Sequence, residues 1–264
     1  MTRAAAVFLL ASIAASPAFT AGDNALLHDD FKSQAVDPAL WHAPTLIAPG
    51  DGTFVGRTQF RGTQDPRRPA LSDGNLVISI DSHNPEGNSF LAGELISNQV
   101  FAVDKGIHII VRARMSTPLR PGVVGGLFLY GLAPGSHTLH DEIDFELLSN
   151  KPDAVQTNIY GNEPLGDGHV QFIPYQTGAL TDFHNYEIKW TPTQVSWLID
   201  GKLVRTTTDH IPTGPMQLYF NIWAPDFHWL AAYSAALQPT GTGEGNTLVG
   251  SMLVESVTVR ALGD

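Results

Sequence analysis

Along much of the chain, β-branched and aromatic residues recur in short alternating runs rather than at the three-to-four spacing of a helix. The alternation predicts strands at 76–81 (LVISID), 93–98 (GELISN), 107–115 (IHIIVRARM), 125–130 (GGLFLY) and 141–148 (DEIDFELL). Further strands are predicted at 155–160, 185–190, 195–200, 202–207, 216–223 and 251–262. Turn residues separate them, the pattern of a β-sandwich or barrel. In VSWLIDGKLVRTT, Val195, Trp197 and Ile199 alternate up to Asp200-Gly201. That pair suits a type I′ hairpin, whose two central residues both need positive φ. WLAAYSAAL (229–237) is compatible with a short helix or with a loop. Residues 48–75 and 238–247 show no period, and no repeat or linker divides the chain.

One predicted strand is chemically unusual. In HDEIDFELL, residues 140–148, Ile143, Phe145 and Leu147 share one face and Glu142, Asp144 and Glu146 the other. The oily face is core. Like charges crowded on the second face destabilise a sheet, so stability does not explain them. In a low-dielectric cleft their repulsion separates their pKa values. Glycoside hydrolysis uses that separation, with one carboxylate ionised while another stays protonated. Four residues of strand separate the two glutamate Cα atoms by roughly 13 Å. Retaining hydrolysis places its carboxyl groups about 5–5.5 Å apart, so the strand must line the concave side of a curved sheet. The rival readings are a solvated acidic strand and a metal site at His137, His140 and Glu142. The latter spacing matches neither zinc patterns nor calcium loops.

Composition narrows the setting. The 264-residue chain opens with MTRAAAVFLLASIAASPAFTA, in which Arg3 precedes an apolar run and small residues. Residues 1–21 are therefore expected to be a secretory signal, too short to span a membrane. Residues 22–264 are then one domain, a normal size for an all-β sandwich. There is no cysteine and no Asn-x-Ser/Thr sequon, which fits a periplasmic or secreted bacterial protein. The formal charge of −11 excludes a basic nucleic-acid surface and is compatible with a neutral polymer.

DEIDFELL resembles the Glu-x-Asp-x-Glu signature of glycoside hydrolase family 16, in the branch without an extra bulge residue. That branch holds lichenases, bacterial exopolysaccharide depolymerases and xyloglucan transglycosylases. GELISN, VRARM, GGLFLYG, VQTNIYGN, FHNYEIKWTPTQVSWLIDGKLV, MQLYFNIW and LVESVTV resemble other family segments in the family's order. The likeness spans about residues 28–260. It implies an all-β, concanavalin-like jelly-roll sandwich of two curved antiparallel sheets, with an open cleft for a polysaccharide. It implies retaining, endo-acting cleavage of a β-glucan, 1,3-1,4-linked or related. Glu142 would be the nucleophile, Glu146 the general acid/base and Asp144 the residue that tunes both. Glu94, Tyr130, Asn158, Asn221 and Trp223 would line the subsites. His140 stands where lichenases often carry Trp, and Ile96 where they often carry Arg. Many members bind a structural calcium through an acidic residue of the last strand. Here that position falls near Glu255 or Ser256, a poor match, so neither cofactor nor metal is expected.

Trp190 and Trp197 read as core. Trp223 reads as a cleft residue, because flat rings pack on sugar faces, and Trp229 as cleft rim or packing. Arg57, Arg61, Arg67 and Arg68 read as balancing an acidic surface, or else as contacts to an anionic polysaccharide. Two alternatives to a hydrolase share the fold: a transglycosylase, and a lectin-like binding module. Retention of all three carboxylates weighs against the lectin. The expected partner is a polysaccharide, met by a monomer.

Overall fold

The computed structural model describes residues 25–44, 46–47, 56–61, 69–84, 87–104, 106–133, 135–166, 168–241 and 248–263. The expected signal (1–21), Arg67 and Arg68 lie outside these residues, as does the side chain of Arg61. Every predicted strand forms. The elements are β1 (Ala25–Asp29), β2 (Trp41–His42), β3 (Leu46–Ile47), β4 (Thr58–Arg61), β5 (Ala70–Ser72) and β6 (Asn75–Asp81). They continue with β7 (Phe90–Phe101), β8 (Ile107–Ser116), β9 (Val124–Leu132), β10 (Leu139–Leu148), β11 (Ala154–Pro164) and β12 (Gln171–Pro174). The last are β13 (His184–Thr191), β14 (Gln194–Ile199), β15 (Lys202–Thr207), β16 (Met216–Trp223) and β17 (Leu248–Ala261). No helix occurs among the described residues.

The strands form two antiparallel layers. One runs β12-β11-β10-β9-β16-β7-β2. The other runs β15-β14-β13-β8-β17-β6-β5, with β1 continuing the β6 edge along β17. β7 passes between them. Its first residues pair with β4 and β6, and the stretch from Glu94 onward pairs with β16. Apolar faces meet between the layers, where Ile143, Phe145 and Leu147 of β10 are buried with Trp190, Trp197 and Phe220. Fully burying each such side chain contributes about 1.5–3 kcal/mol. Trp190 and Trp197 are core, as their alternation predicts.

The Asp200-Gly201 turn has φ of 51° and 77°, as a type I′ hairpin requires. Segment 229–237 is a series of turns, not a helix. Tyr233 N donates to Trp229 O at 2.9 Å, but the ladder stops there. Asn150 Nδ2 donates to the carbonyls of Ala231 (3.3 Å) and Tyr233 (3.0 Å), taking acceptors that a helix would use.

Candidate active site

β10 lies inside its sheet, paired on both sides. Glu142, Asp144 and Glu146 face Tyr160, Asn158 and Gln156 on β11, and Tyr130, Phe128 and Gly126 on β9. The register is regular through all three acids. The one irregularity on β11 lies upstream, where His140 pairs with Glu163 and Glu142 with Tyr160. Asn162 takes up the extra residue at φ 56°, and its N–H donates to Asp141 Oδ1 at 2.6 Å. The other Asp141 oxygen accepts from Thr213 N (3.1 Å) and Gly214 N (2.6 Å). Asp141 therefore fixes the β-ladder where the acidic run begins.

The three acids form part of the floor of an open cleft of about 910 Å³. Tyr130, His140, Asn158, Trp223 and Trp229 also line it. Trp223 and Trp229 lie 5.3 Å apart between ring centroids, tilted by 31°. Glu94 and Asn221 do not line the cleft. Both are buried, and Asn221 Nδ2 donates to Glu94 Oε2 at 3.0 Å. Burial raises the Glu94 carboxyl to about 7, against a smaller downward pull from Asn221. Gly126 makes room for this pair, since a Cβ there would stand 2.5 Å from Asn221 Oδ1.

Burial is the main force on all three acids and raises each of them. Secondary effects separate them. Glu142 and Asp144 share a hydrogen bond that lowers Glu142 and raises Asp144. The two carboxyls therefore share a proton between them. Glu146 is raised further by the charge on Asp144 and opposed by the Gln156 amide, which donates to Glu146 Oε2. The charge of Glu146 is also felt at Glu142. All three carboxyls are thus held above the ordinary carboxylate range, Glu142 at about 8.

Below β10, Trp197 Nε1 donates to the Asp144 carbonyl at 3.0 Å. The Arg205 guanidinium stacks 4.4 Å from the Trp197 ring, and its charge opposes the rise at Asp144. His140 lies between the rings of Tyr130 and Tyr160, at 5.5 and 4.6 Å. Burial lowers its pKa, so the imidazole is neutral. Its Nε2 approaches Glu142 Oε2 to 3.0 Å without the alignment of a hydrogen bond.

Gln156, Tyr160, Asp141 and Arg205 are the site residues that sequence reasoning missed. Gln156 and Tyr160 share the β11 face of Asn158, so polar alternation in VQTNIY was a usable signal. Arg57 is half-buried among loop carbonyls and rings, within reach of the Asp226 charge. Its Nη1 donates to Leu237 O at 2.7 Å, its Nε donates to Pro225 O at 3.2 Å, and it stacks on Phe90 and Tyr233. Glu255, near the expected calcium position, pairs with Arg112 at 2.6 Å. Among the described residues, His137, His140 and Glu142 do not form a metal-ligand group.

A two-layer β-sandwich with three carboxylates and two tryptophans lining one open cleft fits a carbohydrate-active protein of the jelly-roll class. The comparisons narrow that class. The model of glycosyl hydrolases family 16 matches residues 58–238, and the chain belongs to that family. It is 33% identical to a beta-glucanase of Paenibacillus polymyxa over 167 residues, 62% of this chain and 66% of that protein. It is 26% identical to the endo-1,3-1,4-beta-glycanase ExoK of Rhizobium meliloti (strain 1021) over 210 residues, 78% of this chain and 72% of that one. A prokaryotic beta-1,3-1,4-glucanase (lichenase) from a mouse hindgut metagenome superposes with a TM-score of 0.70 at 27% identity. That alignment covers 89% of this chain and 99% of the lichenase. The chain spans just under two thirds of the Paenibacillus protein's length.

Proposed function

We propose that the chain is a retaining endo-β-glucanase acting on 1,3-1,4-β-glucan or a related exopolysaccharide. Glu142 attacks the anomeric carbon while Glu146 protonates the departing glycosidic oxygen. Glu146 then removes a proton from water, which releases the sugar from Glu142 with its configuration retained. Asp144 shares a hydrogen bond with Glu142 that favours the ionised nucleophile against the rise imposed by burial. Trp223 and Trp229 present flat apolar surface to the sugar faces, and His140, Tyr130 and Asn158 border the same subsites. The single observation that carries this assignment is the placing of three carboxylates from one in-register strand in the floor of an open cleft, with Asp144 bonded to Glu142 and Gln156 to Glu146. The named activities of the Rhizobium and metagenomic relatives support the choice of substrate.

The test is a reducing-end assay on lichenan with Glu142→Gln and Glu146→Gln. Glu146→Gln is expected to lose about 10²–10⁴ in kcat, the range for a general acid/base, and Glu142→Gln at least as much. An active wild type with undiminished variants would end the assignment. We also propose that residues 1–21 are a cleaved secretory signal and that the enzyme acts outside the cytoplasm. N-terminal sequencing of the exported protein tests this, with a start near residue 19 or 22 expected.

A further inference from the structure

At the edge of the cleft, three residues distant in sequence come together. Glu163 ends β11, His169 follows in the next loop, and His210 sits in the turn after β15. Glu163 Oε1 lies 2.7 Å from His210 Nδ1, and Oε2 lies 3.1 Å from His169 Nε2. The candidate ligand atoms all fall within 4.8 Å of one another. The imidazoles lie nearly parallel, with centroids 3.5 Å apart and planes at 21°. Each of the three side chains keeps 28–38% of its surface exposed, so an ion has access.

The backbone holds these rings in place. His210 adopts φ of 58°, a conformation rare outside glycine. Gly161 permits the approach, because a Cβ there would stand 2.6 Å from His210 O. His169 N donates to Asn158 Oδ1 at 2.7 Å, and His169 O accepts from Arg205 Nη2 at 2.6 Å. Two buried side chains thus fix His169, and a strained turn presents His210.

Two imidazoles and one carboxylate form a donor set suited to zinc, with a fourth position open to water. Calcium and magnesium prefer more oxygen ligands. We propose that Glu163, His169 and His210 form a zinc site that clasps the wall of the cleft made by Leu165, Gly166 and Val170 to the 208–212 turn. These wall residues line the cleft, so the ion sets its width there. The clasp is independent of the chemistry assigned to Glu142 and Glu146.

The experiment titrates metal-free full-length protein with zinc chloride by calorimetry and by thermal melting, with magnesium and calcium chloride in parallel. One zinc per chain is expected, with a rise in Tm of roughly 5–10 °C at a hundredfold excess over Kd. Neither magnesium nor calcium should shift it. His169→Gln and His210→Asn should each lose the zinc-induced shift while melting near the metal-free wild type. His28→Asn, a histidine of β1, should keep the shift. No zinc-induced shift in the wild type, or an undiminished shift in both site variants, overturns the proposal.

Discussion

Gln156 on β11 donates its side-chain amide to the carboxylate of Glu146, its partner directly across the ladder on β10. The amide favours the ionised carboxylate and so opposes the rise that burial imposes. Gln156→Leu removes that opposition, and the Glu146 pKa rises further. A general acid must be protonated, so the basic limb of the kcat/KM profile moves to higher pH. The lost hydrogen bond to a charged group, about 1.5–3 kcal/mol, lowers kcat/KM by roughly 10–100-fold near neutrality. A pH–rate profile of wild type and variant measures both effects.

Glu94 makes stability depend on pH. Its carboxyl titrates near 7 in the fold, above the ordinary 4.5. The folded state therefore binds a proton that the unfolded chain has released between those values, and stability falls as pH rises through that window. The contribution is complete below about pH 4.5 and gone above about pH 7. Glu94→Gln, which still accepts from Asn221, removes this contribution and leaves those of Glu142, Asp144 and Glu146. Urea denaturation should show the variant more stable than wild type by roughly 1–3 kcal/mol at pH 8, with near equality at pH 4.5.

Asp141 accepts three backbone N–H groups, from Asn162, Thr213 and Gly214. An amide at this position turns an NH₂ toward donors. Asp141→Asn is expected to cost about 1–3 kcal/mol. Differential scanning calorimetry should show a Tm roughly 2–10 °C below wild type. Activity at low temperature should survive, because the strand still carries its three acids.

Trp229 lines the cleft beside Trp223 and touches no group assigned to proton transfer. Its ring offers binding surface to ground state and transition state alike. Trp229→Ala should therefore raise KM on lichenan by about 5–50-fold and leave kcat within about twofold. Initial-rate kinetics over a wide substrate range resolve the two parameters.

The strands were legible because β-branched and aromatic residues form short runs between turn residues, even where a strand such as β7 or β9 is buried on both faces. Edge strands β2 to β5 and β12 were not, because they are two to four residues long and lie among proline and glycine. Segment 229–237 has helical composition, yet Asn150, some eighty positions away, captures its carbonyls. The acidic triplet announced itself as a cost to stability that only chemistry explains. Its supports did not. Asp141 acts through partners 21 or more residues away, Arg205 reaches Thr157 48 positions away, and His210 meets Glu163 47 positions away. Glu94 and Asn221 were placed in the subsites by likeness alone, and the fold buries them beside one another instead.

The division of labour between two glutamates four residues apart is tested most directly by covalent trapping. The enzyme is incubated with a 2-deoxy-2-fluoro β-glucosyl oligosaccharide bearing a good leaving group, then digested and mapped by mass spectrometry. A stable glycosyl ester on Glu142 is the predicted result. A label on Glu146, or turnover of substrate with inversion and no label at all, would contradict it.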